Sequence, residues 1–355
     1  MAAWKRKGGL EKYHDKLVGG MVARKYDKAF AEQIFEQIKG FSEYGFPESH
    51  AASFALLVYA SSWIKRHEPA AFLAALLNSQ PMGFYSASQL TQDARRHGVQ
   101  VRPVDVMHSA YDCTLEDLEH EPAVRLGLRL IASLRSSSAA RIEQERSRAP
   151  FDSAPELAQR CGLELHEMKA LAAAGALATL SGHRRQQVWD AAALHAAPRL
   201  LEEATIDEAQ LELPQAPEGE EVLWDYASTG LTLRSHPMLL LRPRLDKYKL
   251  KTSQQLRRVP DGRRVRTAGI VTLRQQPPTA KGTIFVTLED EHGVTQVIVW
   301  RDVREAQRAV LLGSRLLAVE GRWQREGTVC NLIAERMADL SHLLGRLRTE
   351  SRNFK

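Results

Sequence analysis

The sequence predicts a multidomain α+β chain, helical over roughly its first two hundred residues and ending in a five-stranded β-barrel. Three observations carry this expectation. Apolar residues recur at three- and four-residue spacing from about 10 to 195. They alternate at spacing two from 262 to about 340. Between these regions lies a segment with its own charge pattern. A chain of 355 residues with 44% hydrophobic content has enough apolar material for two or three domains of about 100–200 residues each.

Asp27 is placed to cap a helix carrying Phe30, Ile34, Phe35 and Ile38, which Gly40 is expected to stop. The next helix starts near Ser49 with Phe54, Leu57, Val58 and Trp63 as its apolar face, and Pro69 opens another carrying Phe72, Leu73, Leu76 and Leu77. Gly98 ends a helix after Arg95-Arg96-His97, and Val99 to Val104 read as a short strand-like connector closing the first lobe. From about 122 to 195 the pattern suggests two helical hairpins. In the first, Leu128 to Leu134 precede a helix start at Ser136-Ser137-Ser138; the second pairs Leu163 to Leu171 with Ala173 to Leu177.

Beyond 262 the period changes. Val265 to Val271, Ile284 to Leu288, Val297 with Val299, Leu316 to Glu320 and Val329 to Ile333 suggest five short strands. Pro277-Pro278, Glu291-His292-Gly293 and Glu326-Gly327 mark turns, and a helical patch from Val303 to Leu312 lies between the third and fourth strands. That is the layout of an OB-fold β-barrel, a scaffold that commonly holds single-stranded nucleic acid. In such a barrel Phe285, Trp300 and Trp323 are candidates to stack on bases, with one or two of them left for the core. Arg266, Arg274, Lys281 and Arg322 are candidates to track the backbone.

The net charge of +6 favours a polyanionic partner. Between Leu201 and Asp225 there is no Lys or Arg, and nine acids accumulate, which reads as an acidic linker or loosely packed segment. The run from Arg242 to Arg266 is strongly basic and reads as a backbone-binding surface or a solvated charged face. Ala51 to Ala60, the longest nearly apolar run, is far short of the ~20 residues that span a bilayer, so no membrane role is expected. Cys113, Cys161 and Cys330 are too scattered for a zinc knuckle or disulfide framework, and a reducing cytoplasm fits. There is no G-x-x-x-x-G-K-[ST] loop and no metal-ligand spacing. Two-metal nucleotidyl transfer needs clustered carboxylates, yet the sequence holds no Asp-x-Asp, and Glu289-Asp290-Glu291 reads as a solvated hairpin turn.

Two phrases go further. Tyr44-Gly45-Phe46-Pro47-Glu48-Ser49-His50-Ala51-Ala52-Ser53-Phe54-Ala55-Leu56 delivers Ser49 and His50 to a helix start, where free N–H groups suit a phosphate or nucleobase. Trp63-Ile64-Lys65-Arg66-His67-Glu68-Pro69 follows. Together they resemble the fingers of C-family bacterial DNA polymerases, the polymerase III alpha type. Ala51 to Gln80, Arg95 to Val99 and Thr287 to Glu291 are similar to the error-prone, damage-inducible paralogue. The resemblance covers nearly the whole chain.

It implies the C-terminal portion of an error-prone DNA-directed DNA polymerase acting in DNA repair and translesion synthesis. The expected domains are helical fingers over 1–105, a helix-hairpin-helix region over 106–200, an acidic linker and basic approach segment over 201–261, and the OB-fold over 262–345. On this reading Tyr44, Ser49 and His50 line the incoming-nucleotide pocket; the alternative is that Ser49 caps a helix and His50 is a satisfied core group. Lys65 and Arg66 approach phosphates or template, or form a solvated helix face. The family's hairpin glycine falls near Ser133, whose Cβ resists a positive φ, so the first hairpin is left with either phosphate binding or packing.

The implied partners are primer-template and single-stranded DNA, an incoming dNTP, and a sliding clamp or accessory mutagenesis proteins. The clamp is suggested by Gln210-Leu211-Glu212-Leu213-Pro214, which lacks the terminal aromatic of a clamp peptide. No catalytic residue and no metal is assigned to this chain; Mg2+ is expected in the complete enzyme, and the chain alone is expected to be inactive. The alternatives are a non-catalytic single-stranded nucleic-acid-binding protein and an RNA-binding appendage related to anticodon-binding barrels.

Overall fold

Asp27 does cap the second helix: its Oδ1 accepts the Ala29 N–H at 3.3 Å. The computed structural model describes residues 13–43, 48–83, 85–117, 121–193, 212–347, 349 and 351–354, with side chains at 40–43, 48–50, 193 and 354 left aside. These residues form two packing units divided after Glu68.

The first unit holds α1 (His14–Ala23), α2 (Lys28–Glu43) and α3 (Glu48–His67). Val18, Ala31 and Phe35 make a small core, with the His14 ring edge-on to Phe35 at 4.7 Å. Gly40 does not stop α2, which runs on to Glu43; a glycine costs a helix about 1 kcal/mol but leaves its N–H in place. Every residue of α3 from 51 to 67 is exposed, including Leu56 at 73% and Tyr59 at 72%. A helix apolar around its circumference is normally buried.

In the second unit, α4 (Pro69–Asn78) and α5 (Ala87–Arg96) lead into a small sheet of β1 (Val101–Arg102), β2 (Thr114–Glu116) and β3 (Ala123–Arg125). The helices α6 (Ser136–Arg148), α7 (Ala154–Cys161), α8 (Leu165–Ala173), α9 (Ala178–Ser181) and α10 (Arg184–Ala193) follow. Leu73 and Leu77 of α4 share one apolar core with Val104, Leu128, Ile142, Leu157 and Leu171. The boundary expected near residue 105 is therefore not a packing boundary: the last of the fingers-like helices belong with the hairpins. Glu116 joins Arg102 and Arg125 at 2.6 Å each, and the Arg125 guanidinium holds its carboxyl below the ordinary range.

The acidic segment is not a loose linker where it is described. Glu218 to Ser228 form α11, followed by α12 (Pro237–Leu245) and α13 (Ser253–Leu256). Glu221 and Asp225 are buried. Arg184 reaches Asp225 Oδ1 at 2.6 Å and Glu221 Oε2 at 3.2 Å, and Arg234 reaches Glu221 Oε2 at 2.8 Å. Residues 201–211 lie outside the described ones.

The barrel comprises β4 (Arg264–Gln275), β5 (Ile284–Asp290), β6 (Gly293–Val299), the short helices α14 (Arg301–Ala306) and α15 (Arg308–Gly313), β7 (Leu316–Glu326) and β8 (Val329–Asp339). Strand order is β5-β6-β8-β7-β4, closed by β4 pairing with β5. The β6–β8 pair is parallel. A last strand, β9 (Arg352–Phe354), adds in parallel beside β4. This is the five-strand, one-helical-segment layout expected for an OB-type barrel.

The acidic turn at 289–291 is likewise not solvated. Asp290 accepts the Ser253 N–H at 2.5 Å and its hydroxyl at 2.6 Å. Glu291 takes Arg242 through both oxygens at 2.7 and 2.8 Å. Glu289 faces His236 Nε2 at 3.3 Å. Three consecutive carboxylates thus dock the basic approach segment onto the barrel.

Candidate nucleic-acid interface

Strand alternation sorts the barrel into two faces. Ile284, Val286 and Leu288 of β5, Val297 and Val299 of β6, Leu317 and Val319 of β7, and Leu332 and Ala334 of β8 fill the interior. Their neighbours point outward. Across the strands, Arg264 pairs with Arg322, Arg322 with Ile333, Ile333 with Ile298, and Ile298 with Phe285. This outer row has arginines at one end and an apolar, aromatic end at the other. Alongside it, Gln324, Asn331, Gln296 and Thr287 pair in the same way, and the Thr287 hydroxyl donates to Gln296 Oε1 at 3.1 Å. The other half of the outer surface is covered, because Ala268, Ile270 and Leu316 pack against Met238, Leu245, Leu344 and Leu347.

The candidates divide on these faces. Phe285 is half-buried and Arg322 exposed on the open face; no ion pair is found for Arg322 among the described residues. Trp300 caps α14 directly after β6 and is 53% exposed. Lys281 is exposed, at φ 47°, in the loop joining β4 to β5. Arg304 pins that loop by donating to Gly282 O at 2.9 Å. Arg266 is exposed but engages Glu320 at 2.9 Å, which blunts its charge toward any other anion.

Two candidates are corrected. Trp323 is 3% exposed and lies in the core, since it shares parity with Leu317 and Val319. Arg274 is buried and donates to the carbonyls of Leu311 and Ser314. A register shift between Val271 and Leu273 reverses the parity of β4, so Arg274 pairs with the inward-facing Val286. Burial lowers the pKa of its guanidinium. Neither side chain meets solvent.

Of the remaining candidates, Lys65 and Arg66 are exposed in the last turn of α3. Tyr44 lies outside the described residues, and for Ser49 and His50 only the helical backbone is described.

In the first hairpin a short 3-10 helix, Leu128–Leu130, precedes the turn into α6. Ser133 takes φ 68°, so the Cβ does not prevent the left-handed conformation that a glycine would adopt freely. Arg135 at the N-cap makes no side-chain hydrogen bond to the helix, and Ser133, Arg135, Ser136 and Ser137 are exposed. The helix bonds of α6 begin with the Ser138 and Ala139 N–H groups, which both donate to Arg135 O at 3.1 Å, so the Ser136 and Ser137 N–H groups ahead of them are left as donors for a phosphate. Ser133→Gly is expected to stabilise the protein by about 1 kcal/mol by relieving the left-handed strain, read as a rise in the urea midpoint. A drop would mean that the serine is held there by a contact worth more than the strain. The second hairpin is different. Gly175, at φ 73°, lies against the Arg184 guanidinium, 2.9 Å from where a Cβ would stand, so this turn faces the buried Arg184–Glu221–Asp225 cluster.

A helix-hairpin-helix motif matches residues 98–187. Along its whole length the chain is 55% identical to an error-prone DNA polymerase of Burkholderia pseudomallei, over 361 residues and 34% of that protein. It is 52% identical to one of Pseudomonas syringae pv. tomato over 360 residues and 51% identical to one of Alkalilimnicola ehrlichii over 355 residues. Each of these two is covered to 35%. The chain thus spans about a third of the length of the curated relatives it matches. With a closed OB-like barrel following a helix-hairpin-helix region, and with more than half of its residues identical to those polymerases, the chain is similar along its whole length to a C-terminal part of error-prone DNA polymerases.

Proposed function

We propose that this chain is the DNA-handling, C-terminal part of an error-prone DNA-directed DNA polymerase that works in repair and translesion synthesis in the cytoplasm. The observation that carries the reading is the outer row of the barrel, where Arg264 and Arg322 run in register into Ile333, Ile298 and Phe285. A single strand laid across it would find the Arg322 guanidinium for a phosphate, Arg264 beside it being engaged by Glu335 at 2.7 Å, and an apolar, aromatic surface for its bases. The donors at the Ser133 hairpin suit a phosphate of the primer-template. Exposure of α3 on all sides supports a helix that is covered within a larger polymerase.

Tyr44, Ser49 and His50 would meet the incoming dNTP in that enzyme. The Mg2+ of nucleotidyl transfer would be held by carboxylates elsewhere in it. A sliding clamp or accessory mutagenesis proteins would be its further partners. Among the described residues no helix is long and apolar enough to cross a membrane.

The test is fluorescence anisotropy with labelled oligothymidylate and with a duplex of equal length. The single strand should be preferred, with affinity falling steeply as salt rises. Phe285→Ala should cost about 1–3 kcal/mol of binding with the salt slope nearly unchanged. Arg322→Ala should flatten the slope by roughly 0.7. Salt-independent binding, or equal loss from a variant on the covered half of the barrel, would refute the assignment of this face.

A further inference from the structure

We propose that a cavity between α5, the end of α11 and the outer side of β4 and β5 is a binding site for a guanidinium or ammonium group on a short alkyl stem. The cavity measures about 350 Å³ and is lined by Ser88, Tyr226, His236, Ile270, Glu289 and Thr349, among others. None of its lining residues belongs to the outer row of the barrel, and it was not expected from the sequence.

Glu289 carries the argument. It is 4% exposed, and among the described residues its partner is His236 Nε2 at 3.3 Å. The other ring nitrogen, Nδ1, accepts the Met238 N–H at 3.2 Å and so caps α12. An accepting Nδ1 carries no proton, which assigns the single ring proton to Nε2 and leaves the imidazole uncharged. The adjacent acids differ. Glu291 has a cation, Arg242, on both oxygens, and Asp290 accepts four hydrogen bonds from Ser253, His292 and Gly293. Glu289 has one long hydrogen bond from a neutral donor, an arrangement that is unfavourable for a buried carboxylate unless a cation joins it.

The other walls fit the same ligand. Tyr226 Oη and Ser88 Oγ stand 3.4 Å apart. Burial pushes the Tyr226 phenol up to about 12, so it remains a neutral donor and acceptor. The Thr349 hydroxyl has no hydrogen-bond partner among the described residues. Ile270 and Ala227 provide an apolar wall for an alkyl stem. A carboxylate backed by hydroxyls and flanked by aliphatic carbon complements an alkylguanidinium or alkylammonium. Such a group can come from a free amine or from an Arg or Lys of another polypeptide segment.

The experiment is isothermal titration of the 355-residue chain with agmatine, with N-acetylarginine amide, and with pentanol as the uncharged control. Saturable binding of at least one cation and none of pentanol is expected. Agmatine binding alone identifies a free amine as the source; equal or tighter binding of the blocked arginine identifies a polypeptide side chain. Glu289→Gln should weaken binding about tenfold or more, and Tyr226→Phe severalfold, with both variants folded by circular dichroism. If Glu289→Gln does not fold, Tyr226→Phe decides alone. The proposal is overturned if neither cation binds the wild-type chain saturably, if Glu289→Gln binds as wild type, or if Tyr226→Phe leaves affinity unchanged where it must decide.

Discussion

Replacing Arg184 by methionine is expected to lower the stability of the unit from Pro69 onward by about 3–5 kcal/mol, the usual cost of removing one partner from a buried ion cluster. Arg184 is almost fully buried and joins α10 to α11 through Asp225 at 2.6 Å and through the Glu221 carboxylate and carbonyl at 3.2 and 2.9 Å. Among the described residues, Glu221 without it keeps only Arg234, and Asp225 keeps the Thr232 hydroxyl at 2.6 Å together with a long approach from Arg234 at 3.7 Å. Arg184→Lys should fall between methionine and wild type, because it restores charge without the planar fork that engages two acids at once. Urea denaturation followed by circular dichroism measures both. A loss below about 1 kcal/mol for the methionine variant would put this pair in the class of solvent-screened surface bridges and contradict its burial.

Gly321→Ala should be more damaging still, at more than about 4 kcal/mol. Gly321 sits where the β7–β8 register shifts, and a Cβ there would stand 1.9 Å from the Ile333 carbonyl oxygen. Backbone on both strands would have to move, and Arg322 and Ile333, neighbours in the outer row, would move with it. Loss of barrel stability is therefore expected together with loss of single-strand binding, checked by thermal melting and by the anisotropy assay. Gly327→Ala is the control. That glycine is at φ 59° in open space, so it should cost only about 1–2 kcal/mol of strain and leave the binding face intact. Similar results for the two variants would mean that the barrel tolerates a spread between β7 and β8.

Much of the architecture is written in local pattern. The periodicity of Phe72, Leu73, Leu76 and Leu77 marks α4, because a helix buries residues three and four apart, and Ser136-Ser137-Ser138 and Leu163 to Leu171 mark α6 and α8. Strand parity separates Arg322 from Trp323 once Leu317 and Val319 are taken as interior. The fingers and barrel phrases point to a polymerase because a long motif needs no knowledge of packing.

Other features depend on partners distant in the chain. Asp225 finds Arg184 across 41 positions, Glu291 finds Arg242 across 49 and Glu289 finds His236 across 53. Read locally, each acid is a surface charge; only the folded chain takes it out of water and gives it a counterpart. The inward turn of Arg274 has a similar origin, since one extra residue between Val271 and Leu273 reverses every later side chain of β4 and is not marked by composition. Ser133 is held left-handed by the turn around it, against its own preference. Residue period and motif were enough to place most elements and to reveal the polymerase resemblance of this chain. Tertiary packing alone decided which charges meet solvent, because burial and ion pairing are properties of segments brought together by folding.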